Sequence, residues 1–441
     1  MSEAARTTRH YVSDCLEERY PYDARKGFAG IRQREAGRVF NGYGSPAVDD
    51  MMNSLTDPSV PAEEKTRAVH LLYARSASQE TKIEMLRKGL VPLLVATLQQ
   101  CSDLLLKHQC LLLLRSLGAL PQGCFAVIRE GAIPVVVGAL HTMSSSAGPS
   151  EAAEACCIAA AHVLFQVSSN MSGLRWMLNL AHDPAFEGVE ATWVGELPAP
   201  KALVSFIADS LASEATPAKA TTYLIQTLAR LTSLERGVEA FLAVSDAVDV
   251  LVEHLRHLPR PLTQDSELCA ATLEVIWNTT LGHAGAAVME ERGLPDILFQ
   301  FLVDTSGSAA QVPVCVQRQL TGALSAVSQL TSVKQRSTDA VSIAEARTRI
   351  VVLLDYVREW NKLIATQYTN ASRPIPSHAT AIVTNLVQCI RLASELKPVR
   401  DVTHAILEVM EQEDTTEAFY FRRQLYFHTR WEAEYHASVE V

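Results

Sequence analysis

A ten-residue element that occurs three times constrains the fold more than any other feature of the sequence. Its copies begin at Gly89, Gly131 and Gly293 and read GLVPLLVATL, GAIPVVVGAL and GLPDILFQFL. Each glycine follows a short charged segment, so it is placed to end one helix in the left-handed conformation. The proline then fits the first turn of the next helix. Because the residues that follow are apolar almost without interruption, the element predicts a joint that leads into a buried helix.

The spacing of these joints predicts a solenoid. The first two glycines lie 42 residues apart, which is within the range of α-helical repeats of the armadillo and HEAT kind. The chain has 441 residues, more than one compact core usually holds, yet no Gly/Ser-rich or Pro-rich linker divides it. A row of stacked repeats accommodates this length. The sequence therefore predicts an all-α fold, a right-handed superhelical solenoid of armadillo or HEAT type.

Composition and charge limit the classes of function. The chain is 48% hydrophobic but only 6% aromatic, as expected for helices packed through Leu, Val and Ala. A formal net charge of −10 argues against a protein that mainly coats nucleic acid or anionic lipid. The sequence offers neither an apolar run long enough to cross a bilayer nor a signal-peptide core at its start. We therefore expect a soluble intracellular protein without nucleic-acid or membrane partners, and reduced core thiols at its cysteines.

The chain divides into three predicted parts. Residues 1–47 combine eight Lys/Arg with six aromatic residues and show no helix or strand period, which predicts an extended arm; a disordered tail is the alternative. Residues 48–415 form the predicted repeat array, with an insertion at 182–200. Residues 416–441 form a predicted aromatic C-terminal helix. This helix caps the last repeat, or it caps with one face and anchors a partner with another. Partner-binding candidates in the two terminal parts are Tyr20, Tyr22, Tyr43, Tyr426 and Trp431.

Motifs for catalysis and ligand binding are missing from the sequence. We found no phosphate-binding, dinucleotide-binding, zinc-protease, nucleophile-elbow or EF-hand pattern. His254 and His257 share a helix face but have no third metal ligand nearby in the sequence. This arrangement favours two exposed histidines on a solvated helix over a zinc site. We therefore predict a non-enzymatic protein that uses no cofactor or metal.

The sequence resembles the armadillo repeat over residues 48–340. The resemblance is carried by the three Gly-Pro joints and by helices such as residues 271–280, ATLEVIWNTT. It implies a solenoid that binds segments of other proteins. It does not say which proteins, because armadillo arrays bind many unrelated partners.

One ligand chemistry of that family can be compared residue by residue. Armadillo nuclear-import receptors carry a W-x-x-x-N pattern on successive inner helices, whose Asn residues bind a peptide backbone and whose Trp residues stack on Lys side chains. Only Asn278 matches here, and Glu274 stands where the Trp would be. Arg75, Arg115 and Arg230, at positions equivalent to the Asn residues, instead suggest a surface for an acidic partner. The alternative is that they pair with neighbouring acids and bind no ligand. The resemblance places the equivalents at Arg75, Arg115, Gln166, Arg230 and Asn278.

Within the armadillo family, the layout resembles the armadillo-type radial-spoke proteins of cilia and flagella. Shared features are Gly42-Tyr43-Gly44 at the end of the arm, Leu55-Thr-Asp-Pro58 in the first loop and Lys65-Thr-Arg-Ala68 in the next helix. The chain departs from that pattern at residues 182–200 and in its aromatic C terminus. The resemblance implies a cytoskeletal scaffold of the axoneme, in a spoke stalk or base, that contacts spoke and microtubule-associated proteins. A soluble adaptor or transport receptor that binds peptides in its groove is the alternative.

Overall fold

The computed structural model of the chain describes residues 45–145, 150–180, 199–258, 265–305 and 312–328, together with residues 352, 353 and 356. These described residues form helices and no strand, which confirms the predicted all-α fold. Residues 1–44 of the predicted arm, the predicted C-terminal helix and nearly all of the predicted insertion lie outside them, whereas residues 45–47 belong to a helix that begins at Ser45. So do the candidates Tyr20, Tyr22, Tyr43, Tyr426 and Trp431, whose role stays a prediction.

Seventeen helices are described, and five of them have nine residues or fewer. In chain order they are α1 Ser45–Thr56, α2 Ala62–Arg75, α3 Gln79–Arg87, α4 Leu90–Gln100, α5 Leu104–Gly118, α6 Pro121–Arg129, α7 Ala132–Ser145, α8 Glu151–Ser168, α9 Met171–Met177, α10 Ala199–Ala212, α11 Ala218–Thr232, α12 Glu235–Leu242, α13 Ser245–Arg256, α14 Ser266–Thr280, α15 His283–Glu291, α16 Leu294–Thr305 and α17 Val314–Ser328.

Every third helix belongs to one continuous row. The inner helices, α2, α5, α8, α11, α14 and α17, pack side by side, each against the one before it. A second row contains α1, α4 and α7, and α10 packs against α13 in the same way. After a first unit in which only α1 and α2 are described, each unit consists of a short helix (α3, α6, α9, α12 or α15), a second-row helix and an inner helix. The units share one elongated core of Leu, Val, Ile and Ala, because each unit covers the apolar face that its neighbour leaves open.

The three predicted joints are confirmed. Gly89, Gly131 and Gly293 have φ angles of 75°, 68° and 72°, the left-handed conformation that glycine adopts without steric cost. The helices that follow begin at the next residue and hold their prolines in the first turn. Ile133, in the second copy, is fully buried, in agreement with the prediction that the joint leads into a buried helix.

A second kind of glycine fixes the corner between an inner helix and the next short helix. Gly123, Gly173, Gly237 and Gly285 are the third residues of α6, α9, α12 and α15. A Cβ added at these glycines would lie 1.9, 2.3, 1.8 and 2.2 Å from the carbonyl oxygen six residues earlier. Only glycine allows so close an approach of two backbones. The corner therefore has the same geometry in four successive units.

Candidate functional site

The corners give a common register for the inner helices. We call the fourth residue before the start of each short helix the corner position, because its carbonyl oxygen lies at the corner. In four units it accepts a hydrogen bond from the amide just before the short helix, at 3.1 to 3.3 Å. The residues at this corner position are Arg75, Leu117, Val167, Leu231 and Thr279.

This register corrects the sequence-based alignment of the inner-helix candidates. Gln166, Arg230 and Asn278 share the position one residue before the corner position. Arg115 lies one residue earlier still, and Arg75 occupies the corner position itself. Arg75 lies three residues before Ser78, the last residue before α3. Arg115 lies five residues before Leu120, the last residue before α6, so the alignment of Arg75 with Arg115 is wrong. The role of these residues in binding a partner stays a prediction.

Arg115 of α5 connects three inner helices. Its Nη2 donates to the hydroxyl of Tyr73 on α2 at 2.9 Å, and its Nη1 lies 3.3 Å from Nδ1 of His162 on α8. The guanidinium carbon also lies 6.0 Å from the centroid of the Tyr73 ring. All three side chains are half-buried. Because both hydrogen bonds come from neighbouring units, the guanidinium is held in one orientation at the surface of the row.

His162 extends this arrangement to the fourth inner helix. Its ring stacks on Tyr223 of α11 with the centroids 4.0 Å apart, and the Phe165 ring lies 6.0 Å from the same tyrosine. Burial lowers the pKa of His162 to about 4, and the charges of Arg115 and Lys219 contribute to the shift. The imidazole is therefore neutral at pH 7 and its Nδ1 accepts the hydrogen bond from Arg115. We call Tyr73, Arg115, His162, Phe165 and Tyr223 the inner cluster.

The charge around the inner cluster differs from that of the whole chain. For α2, α5, α8, α11 and α14, we define the central segment as the fifth to the thirteenth residue before the first residue of the next short helix. Arg67, Arg115 and Arg230 lie in the central segments of α2, α5 and α11, and only the segment of α14 contains an acid, Glu274. The acid-free central segments are residues 66–74, 108–116, 158–166 and 222–230.

The inner helices α14 and α17 are built differently. The Trp277 ring of α14 lies against Gly322 of α17 so closely that an added Cβ would be 2.5 Å from a ring carbon. The guanidinium of Arg318 lies 5.8 Å from the centroid of a Trp277 ring. Asn278 donates from Nδ2 to the Ala229 carbonyl at 3.2 Å and to Thr232 Oγ1 at 3.4 Å, both on α11. The amide that matched the peptide-binding pattern thus bonds to the neighbouring inner helix.

Titratable groups elsewhere in the described residues include buried thiols and a half-buried histidine. Burial raises the pKa of the Cys124 and Cys156 thiols to about 12, so both are neutral core thiols. The prediction that His254 is exposed is wrong: it is half-buried, because it lies on the helix face that carries Leu251 and Leu258, both buried. Burial and then His257 lower the pKa of His254. No three His, Cys, Asp or Glu side chains of the described residues are grouped for a metal ion.

Within the described ranges, no single helix combines the length and the apolar character needed to cross a bilayer. Two consecutive pairs, α6 with α7 and α8 with α9, reach that length and apolar composition only together, and they are bent by 77° and 103° between their helices.

Comparison with known proteins identifies the fold. No protein-family model and no curated protein sequence matches the chain. A solved structure described as "A conserved phosphorylation switch controls the interaction between cadherin and beta-catenin in vitro and in vivo" is 16% identical, with a TM-score of 0.57, and the match covers 86% of this chain and 70% of that chain. A designed armadillo repeat protein is also 16% identical, with a TM-score of 0.47, over 64% of this chain and 99% of that chain. The protein is an armadillo-type α-solenoid, as the sequence predicted.

Proposed function

We propose that this solenoid is a non-enzymatic scaffold that binds an extended segment of another protein along its inner helices. The inner cluster is the observation that carries the proposal. Tyrosine and arginine are among the residue types that contribute most to binding at protein interfaces. Here Tyr73, Arg115 and Tyr223 are half-buried and held by contacts between units. A partner therefore meets anchors that lose little side-chain entropy on binding.

The size of this surface suits a short extended peptide. The inner cluster spans α2, α5, α8 and α11, which are four neighbouring helices of one row. Packed helices lie roughly 8–10 Å apart, so three steps cover about 24–30 Å. An extended chain advances about 3.3 Å per residue, and about eight residues therefore span the surface.

We further propose that the scaffold works in the ciliary or flagellar axoneme, in a radial spoke stalk or base. Support comes from the sequence resemblance at Gly42-Tyr43-Gly44, Leu55-Thr-Asp-Pro58 and Lys65-Thr-Arg-Ala68. The partners would then be spoke and microtubule-associated proteins. A soluble cytoplasmic adaptor or transport receptor would use the same surface reversibly, and its location in the cell would differ.

Site-specific photocrosslinking tests the binding surface. A photoreactive amino acid at Ala74, which is exposed in the central segment of α2, should yield adducts with a partner protein in cells. The matched control is Gly138, which is exposed on the second-row helix α7. Adducts from position 138 alone, or equal adducts from both positions, would contradict binding along the inner helices.

Extraction of ciliated cells that express the tagged chain tests the location. A structural axonemal protein stays with detergent-treated axonemes and leaves them in high salt or chaotrope. An adaptor is released by detergent alone. Release of the whole pool by detergent would reject the axonemal proposal and leave the binding surface to be judged by crosslinking.

A further inference from the structure

We infer that the segment bound along α2, α5, α8 and α11 is rich in Asp and Glu. The inference rests on the proposed function and adds the chemistry of the partner. It starts from the four acid-free central segments, which carry Arg67, Arg115 and Arg230 in a chain of net charge −10. Three cations in acid-free segments of an anionic protein attract an oppositely charged chain and repel a basic one.

The state of the arginines strengthens this inference. Arg67, Arg115 and Arg230 form no ion pair with the described residues. Four arginines on other surfaces are paired, among them Arg292 with Asp249 at 2.6 Å and Arg256 with Glu253 at 3.0 Å, whereas Arg87 and Arg175 also lack an ion pair with the described residues. The inner arginines therefore keep their charge uncompensated within the described fold, which is the condition for binding carboxylates supplied by a partner.

Arg115 is the residue best placed to recognise a carboxylate. A guanidinium has five N–H donors, and Arg115 uses one each toward Tyr73 and His162, so three donors are left for a ligand. Its two protein contacts are neutral, because Tyr73 contributes a hydroxyl and burial lowers the pKa of His162 to about 4. The guanidinium is thus oriented without being neutralised. A planar, oriented guanidinium binds a carboxylate with better geometry than a flexible lysine.

The surface also has a boundary. The central segment of α14 contains the half-buried Glu274, and the Trp277 ring next to it packs on Gly322. An acidic segment that continued past α11 would meet this carboxylate. We therefore place the acidic part of the partner against α2 to α11, about eight residues by the spacing of the helices.

Fluorescence anisotropy with the full chain and three labelled eight-residue peptides tests the inference. The peptides alternate Ala with Glu, with Gln or with Lys. We expect only the Glu peptide to bind, and its affinity to fall as salt rises from about 0.05 to 0.3 M, because exposed charges are screened. Preference for the Lys or Gln peptide, or no binding of the Glu peptide, would overturn the inference. A phosphoserine peptide that binds when the Glu peptide does not would also overturn it.

Variants of the arginines locate the site. Arg115→Gln should weaken the Glu peptide about tenfold, the scale expected from losing a hydrogen bond to a charged group. Arg230→Gln, at an exposed position, should weaken binding of the Glu peptide less. This variant tests the site if Arg115→Gln does not fold. Arg256→Gln, on the second-row helix α13, is the matched control and should bind like the parent. Equal effects of Arg115→Gln and Arg256→Gln would count against the site.

The two proposals fail separately. If crosslinks from Ala74 identify a partner whose bound segment is neutral or basic, the scaffold function stands and the acidic specificity is wrong. If Ala74 gives no adduct, but binding of the Glu peptide depends on Arg115, the acidic specificity stands. The proposal that the chain is a scaffold in cells is then rejected at this surface.

Discussion

Arg115 and Trp277 occupy the same position of two inner helices, yet their surroundings differ. The half-buried Arg115 donates to Tyr73 and to His162 on the two neighbouring inner helices. Trp277 packs on Gly322, and the neighbouring Asn278 donates to a carbonyl of α11. One position of the repeat thus serves as a polar surface anchor in the second unit and as a packing element near the end of the described array. The repeat places Arg115 and Trp277 at the same position of their helices. The residues around each one determine whether its side chain makes polar contacts or packs.

The largest expected difference between the two regions comes from alanine at two glycines that each contact a neighbouring inner helix. Gly322→Ala places a Cβ 2.5 Å from the Trp277 ring, so the ring must shift, and we expect a loss of about 1–3 kcal/mol. Gly118→Ala meets only Gln166 Cγ at 3.8 Å and should be neutral or slightly stabilising. Chemical denaturation of both variants measures this. Equal losses would mean that the two interfaces are packed alike.

Asn278 and Gln166 share a register position and should differ in their contribution to stability. Asn278→Ala removes the donor to the Ala229 carbonyl, and a hydrogen bond of this kind contributes about 1 kcal/mol. Gln166→Ala, in the polar region, should cost less than about 0.5 kcal/mol. Urea unfolding of the two variants gives the comparison. A larger effect at Gln166 would show that the polar region depends on its side chains for folding.

Acid should weaken the region that contains His162. Burial lowers its folded-state pKa to about 4, whereas the unfolded chain takes up the proton near about 6.5. The unfolded state therefore binds more protons between these values, so stability from this group falls as pH drops from about 6.5 to 4. Solvent screening of the half-buried ring should keep the effect below about 1 kcal/mol. Melting temperatures at pH 7 and 5 should differ less in His162→Gln than in the parent, and an unchanged difference would contradict the shift.

The smallest effect should be the same at both ends of the array. Lys88 pairs with Asp49 and Arg292 with Asp249, each at 2.6 Å, and both acids are the fifth residue of a second-row helix. Exposed ion pairs of this kind contribute up to about 1 kcal/mol, less in salt. Asp49→Asn and Asp249→Asn should therefore each produce a small loss of stability that disappears in about 1 M salt. A loss that persists in salt would point to a contribution other than charge.

Much of the fold could be predicted because its signals are local. A left-handed glycine followed by a first-turn proline is visible in the sequence at Gly89, Gly131 and Gly293. The corner between α12 and α13 has Ala243-Val244 and no such signal, so the sequence does not show where α13 begins. Continuous apolar sequence predicts burial but does not say where one buried helix ends.

The inner cluster could not be predicted in the same way. Arg115 and His162 are 47 residues apart, and their contact depends on how two inner helices are staggered. The sequence-based alignment with the W-x-x-x-N pattern matched one arginine to another. It therefore treated Arg75 and Arg115 as equivalent although they occupy different positions relative to the corner. A better signal was present: an apolar residue or threonine followed six residues later by the corner glycine, as in Leu117 and Gly123. Aligning on that pair would have placed Arg115 level with Trp277.

The corner glycines also determine where the array can change in evolution or engineering. At the four corners with such a glycine, two residues separate the inner helix from the next short helix, at 119–120, 169–170, 233–234 and 281–282. The connection on the opposite rim, before the inner helix, has three residues at 101–103 and five at 213–217. Backbone contact holds the first rim at constant length, so an insertion there would alter the pitch of every later unit. The second rim can accept a new loop, tag or whole domain as cargo while the solenoid keeps its course.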